Sequence, residues 1–219
     1  MISTGCTVLE GKPMSDLIET ELPNTWLGRP TTEVRTRILC AAQIIFARDG
    51  FSGAEQVAIA TLAKVGKSTL YKVANGKQAL FLTVVSENLE YMRSLVFARL
   101  IGTEPPLERI QLAARDVLTQ MQKNRGLLRV MVVEAGNFGG EIQRRYLSTI
   151  DASMPVIESL FNLVREETTL HNTPARDVIN MIVNMMIGTA YSWALTGEGD
   201  LVEEGMHYMQ ILEGLFQRR

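Results

Sequence analysis

The stretch from Glu55 to Phe81, EQVAIATLAKVGKSTLYKVANGKQALF, limits the possible folds more than any other part of the chain. Ile59, Ala60, Leu62 and Ala63 recur at helical spacing, so the first segment has one apolar face. Val65 and Gly66 interrupt it, and Lys67-Ser68-Thr69-Leu70-Tyr71-Lys72 follows. Leu70 is the only bulky aliphatic residue of that run and can pin it to a small core. Two lysines, two hydroxyls and a tyrosine then point outward, suited to phosphates and base edges. Asn75-Gly76 makes a second turn, and a longer helix runs from about Lys77 to Ile101. Two short helices around a tight turn form a helix-turn-helix, whose second helix enters the DNA major groove.

Composition supports this once charge is partitioned. The whole chain of 219 residues carries a net charge of −2. Residues 29–77 hold eight Lys/Arg (Arg29, Arg35, Arg37, Arg48, Lys64, Lys67, Lys72, Lys77) against Glu33, Asp49 and Glu55, a net +5. The remainder is therefore −7. A basic head on an acidic body suits a nucleic-acid-facing module joined to something else.

Cys6 and Cys40 make no metal spacing and no disulfide framework, and no signal peptide opens the chain, so a reducing cytoplasm is expected. Val178–Thr196 runs 19 residues without a charge, near the length of a membrane span. Asn180, Asn184, Thr189 and Ser192 interrupt it and neither flank is basic, so a helix buried on most sides in a soluble assembly is expected instead, with no membrane partner.

The remaining organisation reads as all-α. Residues 1–24 lack periodicity and are expected to be a largely disordered extension with one weak turn near Asp16–Thr20. Thr25–Pro30 is a lead-in, and Thr31 or Thr32 is the expected cap of a first helix reaching about Asp49 and ended by Gly50. Further helices are expected at about 106–123, 126–137, 140–169, 174–196 and 200–217, with Pro155 kinking its helix near Ala152. The expected domains are a helix-turn-helix head at 25–76, a connecting helix at 77–102 and a ligand-binding and dimerisation body at 103–219.

Gly28 to Phe81 resembles the TetR (tetracycline-repressor-like) family of transcription regulators. The resemblance lies in ILCAAQIIFARDGF at 38–51, the seven-residue gap to Ile59-Ala60, Thr69-Leu70-Tyr71, and Lys77 followed by Ala79-Leu80. LLRVMVVEAGNFGGEIQRRYL at 127–147 resembles the subgroup with an AefR-like C-terminal domain. The resemblance implies three N-terminal helices for DNA and a fourth leading to a helical body. That body would bind an inducer and dimerise through its last two helices. Carried onto this sequence, Lys67, Ser68, Tyr71 and Lys72 face the groove, Thr69 and Tyr71 contact the DNA backbone, and Lys77 lies near a phosphate. Arg29, on the Pro-stiffened Gly28-Arg29-Pro30, is a candidate minor-groove arm.

The sequence also departs from the family pattern. Lys64 stands where the turn usually has glycine, Gly66 replaces a serine cap, Val73-Ala74 replaces an aromatic pair, and Glu55 sits where a hydroxyl often meets phosphate.

In the body, soft and aromatic residues offer an apolar pocket: Met92, Phe97, Met121, Met131, Phe138, Tyr146, Met154, Tyr191 and Trp193, with Glu134, Asn137 or Arg129 as polar groups. Val178, Ile182, Met185 and Thr189 form one candidate dimer stripe and Val202, Met209, Leu212 and Phe216 another. His171 and His207 are isolated and no phosphate loop or nucleophile elbow occurs, so neither an enzyme nor a cofactor is expected. The expected partners are a double-stranded DNA operator, a small-molecule effector and a second copy. The alternative is an interaction protein of the same fold with weakened or lost operator binding.

Overall fold

Residues 22–165 and 172–216 are described in the computed structural model, and helices dominate them. A two-residue hairpin, β1 (Thr25–Trp26) and β2 (Arg29–Pro30), precedes α1 (Val34–Gly53), α2 (Gln56–Leu62), α3 (Lys67–Val73) and α4 (Lys77–Leu100). The body adds α5 (Pro106–Lys123), α6 (Arg125–Glu134), α7 (Glu141–Arg165), α8 (Ala175–Thr196) and α9 (Leu201–Phe216). Among the described residues, the nine helices fall within a few residues of the expected segments, and Pro155 lies inside α7.

Three local expectations change. The lead-in is an antiparallel hairpin, with Leu27 and Gly28 both at positive φ, as the tightest hairpin turns require. α1 is capped by Glu33 rather than Thr31 or Thr32, because the Thr31 hydroxyl donates to the Pro23 carbonyl instead. Gly50, at φ 71°, does break the helical conformation, but one more turn continues to Gly53. Of the 1–24 extension only residues 22–24 are described, and Leu22 packs against the head core.

α1, α4 and the body share a core. Ile38, Phe46 and Leu70 of the head and Leu80 and Phe81 of α4 cluster with Leu127 and Val130 of α6, Phe138 of the α6–α7 loop and Ile142 of α7. Phe138 sits edge-on to Phe51 at 4.9 Å and beside Phe81 at 5.2 Å between ring centroids. Ala74 is buried in this same cluster, so the small side chain is part of the packed core.

α8 is long and apolar enough to cross a membrane by length and composition alone. It packs on α5, α6, α7 and α9, but only one face is covered. Met181, Asn184, Gly188, Tyr191 and Leu195, at helical spacing, all lie exposed. One protomer therefore covers one face of α8 and leaves the other to be covered by an assembly.

Candidate nucleic-acid interface and ligand cavity

The turn between α2 and α3 is built by backbone geometry. Val65 N–H donates to Ala60 O and Lys64 N–H to Thr61 O, the paired bonds of a Schellman motif. Lys64 occupies the left-handed position, at φ 52°, where a side chain costs on the order of 1 kcal/mol. Gly66 caps α3 through its carbonyl, without a side-chain bond. Arg37 of α1 donates to the Ala63 carbonyl at 2.8 Å, fixing the end of α2.

α3 thus presents a defined face. Leu70 is completely buried, while Lys67, Ser68, Tyr71 and Lys72 are exposed and Thr69 is half-buried. Lys67 Nζ lies 5.9 Å from the Tyr71 ring centroid, one helical turn away. Val57 of α2 is also exposed, at 65%.

Other head cations are used internally. Arg29 pairs with Glu87 at 2.8 Å and covers the Trp26 ring, so it is held against α4 and is not an extended minor-groove arm. Arg35 shares Glu87 at 2.7 Å. Burial works to raise the Glu87 pKa, but the two guanidiniums outweigh it and hold the carboxyl below its ordinary value. Arg48 binds Asp49 with two hydrogen bonds. Lys77 Nζ donates to the carbonyls of Ser52 at 3.0 Å and Ala54 at 3.1 Å and lies over the Phe51 ring. Those contacts close the loop after α1 and give Lys77, expected near a phosphate, a role within the head's own structure. Among the described residues, Lys64, Lys67 and Lys72 are the head cations without an ion pair or hydrogen bond, and all three lie on the α2–α3 turn or on α3. The uncommitted positive charge of the head is therefore concentrated at α3 and the turn before it.

In the body, α4, α5, α7, α8 and α9 enclose an apolar cavity of about 180 Å³. Met92, Met121 and Tyr146 line it as expected, together with Val96, Ile157 and Met186. Burial raises the Tyr146 pKa above its ordinary value. The other expected lining residues lie elsewhere. Met131 and Phe138 belong to the core shared with the head. Glu134 is buried and accepts from Asn137 at 2.8 Å. Phe97 lies under Arg93, Met154 fills the α7–α8 core, and Trp193 packs among α5, α8 and α9 beneath Arg125. Tyr191 is half-exposed, and Arg129 lies on the surface.

The expected dimer stripes are mostly turned inward. Val178, Thr189 and Met209 are buried, Ile182 and Met209 line the cavity, and Met185 and Val202 pack on the α5–α9 core. Leu212 is half-buried, and the Phe216 side chain lies outside the described residues. The surface left on α8 and α9 runs instead through Met181, Tyr191, Leu195 and Ile211, each at least 42% exposed. These residues were missed because both faces of α8 are apolar.

Sequence reading also missed a buried polar group, although Gln43 was visible as the polar residue inside an apolar run. Gln43 Oε1 accepts from Trp26 Nε1 at 2.9 Å and Asn88 Nδ2 at 2.7 Å. Burial pushes the Cys40 thiol up to about 12, which makes it a packing residue. Among the described residues, no His, Cys, Asp or Glu cluster could hold a metal ion.

No protein-family model matches the sequence, and no curated protein aligns with it. Solved structures do share the fold. The fatty acid degradation regulator FadR of Bacillus halodurans superposes with a TM-score of 0.72 at 18% identity, over 84% of this chain and 97% of that one. The regulatory protein TetR of Rhodobacter sphaeroides gives 0.66 at 16% identity, over 84% and 98%. Thermus thermophilus FadR, a TetR-family repressor solved with lauroyl-CoA, gives 0.59 at 22% identity, over 84% and 96%. The fold is the all-α fold of TetR-family transcriptional regulators, with an N-terminal helix-turn-helix and a helical C-terminal part.

Proposed function

We propose that this chain is a cytoplasmic, homodimeric DNA-binding transcription regulator, a repressor released from a roughly palindromic operator by a small apolar effector. The observation that carries the reading is the α3 face. Lys67, Ser68, Tyr71 and Lys72 are exposed together, and the otherwise uncommitted head cations lie beside them. Residues 25–76 form the DNA head, 77–102 connect, and 103–219 bind effector and pair two copies. The fold shared with regulators, rather than enzymes, supports a non-catalytic role. The 127–147 segment supports the AefR-like subgroup.

Lys67 and Tyr71 read base edges, while Ser68, Thr69 and Lys72 reach the groove or its phosphates. The exposed apolar faces of α8 and α9 pair around a two-fold axis, which sets the two α3 helices on successive half-sites. An effector in the α4–α9 cavity favours one body conformation, and the heads follow because they share a core with α6 and Phe138. The cavity is smaller than the few hundred Å³ of typical ligand pockets. Four methionines on its wall, Met92, Met121, Met186 and Met209, can rearrange to enlarge it. That a similar fold is solved with lauroyl-CoA supports a ligand-responsive body.

The left-handed Lys64 favours a second reading, an interaction protein whose operator binding is weakened. Salt-dependent binding to the protein's own upstream DNA separates the two. Preference over random duplex supports a regulator, and its absence at low salt supports the alternative.

A further inference from the structure

The apolar cavity adjoins a polar recess. Leu89 and Thr149 line it and also line a recess of about 560 Å³ on the α4–α7 face. The rest of that recess is polar, with Ser86, Glu87, Glu90, Glu141, Arg144 and Arg145 on its walls.

Its carboxylates are already paired. Glu87 is shared by Arg29 and Arg35, and Glu90 holds Arg93. Glu141 is shared by Arg144 at 2.6 Å and Arg145 at 2.8 Å. Arg29, Arg35 and Arg93, outside the recess wall, thus satisfy Glu87 and Glu90, and the two wall arginines share the single Glu141, which leaves one guanidinium charge unmatched in the recess. Arg145 also bonds Ser86 Oγ at 2.5 Å, yet its buried Nε finds no acceptor among the described residues. The Arg144 side chain is 66% exposed and can turn toward a new partner.

An apolar slot adjoining unmatched guanidinium complements one ligand chemistry. A hydrocarbon chain fills the slot, and an anionic group at its end meets planar, multi-donor cations. A neutral head leaves the excess charge unmatched, and a cationic head opposes it. We propose that the effector is a chain-like amphiphile whose carboxylate or phosphate head lies in the α4–α7 recess against Arg144 and Arg145. Its chain occupies the cavity. This rests on the cavity being the effector site.

The test is calorimetric titration of the full chain with decanoate, decyl phosphate, decanol and decyltrimethylammonium, all below micelle formation. Chain burial is the same for all four, so differences report the head. Both anions are expected to bind about tenfold or more tightly than decanol, and the cation more weakly. Arg144→Gln and Arg145→Gln are expected to reduce the anion preference while leaving decanol affinity unchanged. Preference for phosphate over carboxylate, or the reverse, identifies the head group, and either supports the proposal. Equal binding of anions and decanol, or an anion preference unaffected by both substitutions, overturns it. If decanol and the anions all fail to bind, the cavity reading falls as well.

Discussion

Gln43 Nε2 donates to Asn124 Oδ1 at 2.6 Å, joining the middle of α1 to the joint between α5 and α6. Gln43 also accepts from Trp26 of the hairpin and Asn88 of α4, so one side chain ties four parts of the molecule together. Two residues beyond Asn124, Gly126 approaches α1 so closely that an added Cβ would lie 2.8 Å from Ala47 Cβ. The head is therefore seated on α6 as well as on α4.

Replacing Gln43 with leucine keeps the volume and removes the polar hub. Trp26 Nε1 and the Asn124 amide lose a partner in or near the core, at about 1–3 kcal/mol for each group left unsatisfied. Urea unfolding is expected to show a lower midpoint with an unchanged slope. An unchanged midpoint would contradict a stabilising role for this network.

Lys77 and Lys67 are expected to separate stability from DNA binding. Lys77→Met removes two bonds to backbone carbonyls and is predicted to lower stability by about 1 kcal/mol, with little change in the salt dependence of DNA binding. Lys67→Ala is predicted to do the reverse. Thermal melts and binding isotherms across a salt series check both.

The Glu87 ion pairs imply a pH dependence of defined sign. Arg29 and Arg35 hold its pKa below the ordinary value of 4.5, so the folded state binds the proton less readily than the unfolded one. The resulting stability is complete above about pH 4.5 and is lost as pH falls through the lowered folded value. Glu87→Gln is expected to be less stable than the parent near neutral pH, by a small and salt-screened margin, since both arginines are substantially exposed. The gap closes in acid. A gap that persists undiminished below the folded pKa would assign the effect to packing instead.

Pairing of two copies is predicted to depend on the exposed face of α8. Met181→Glu and Tyr191→Glu place charge on that face and are expected to yield folded monomers by sedimentation. Val178→Ala is expected to lower stability, because Val178 is buried in the α7–α8 core. Dimers that survive both glutamate substitutions would rule out this face.

The helices were legible because their apolar spacing and their stops are local properties. Pro106 opens α5 and Gly197 ends α8, both at or beside the boundaries read from sequence. The α3 face was legible for the same reason, since Leu70 alone anchors a run of polar residues. Arg29 and Lys77 were not, because a long cation reaches either phosphate or a distant carbonyl from the same sequence position. The expected stripe on α8 is largely buried within the chain, because α8 carries apolar groups all round and periodicity cannot distinguish its inward face from its outward one. Phe138 was assigned to a pocket because nothing local reveals that the α6–α7 loop meets Phe51 and Phe81.

The most direct test of the central claim is the equilibrium binding of the full chain to its own upstream DNA, against random duplex, across a salt series. The account predicts preferential binding that falls steeply as salt rises, weakened in specificity by Lys67→Ala and by Tyr71→Ala. Equal affinity for both duplexes at low salt, or specific binding unaltered by either substitution, would contradict it.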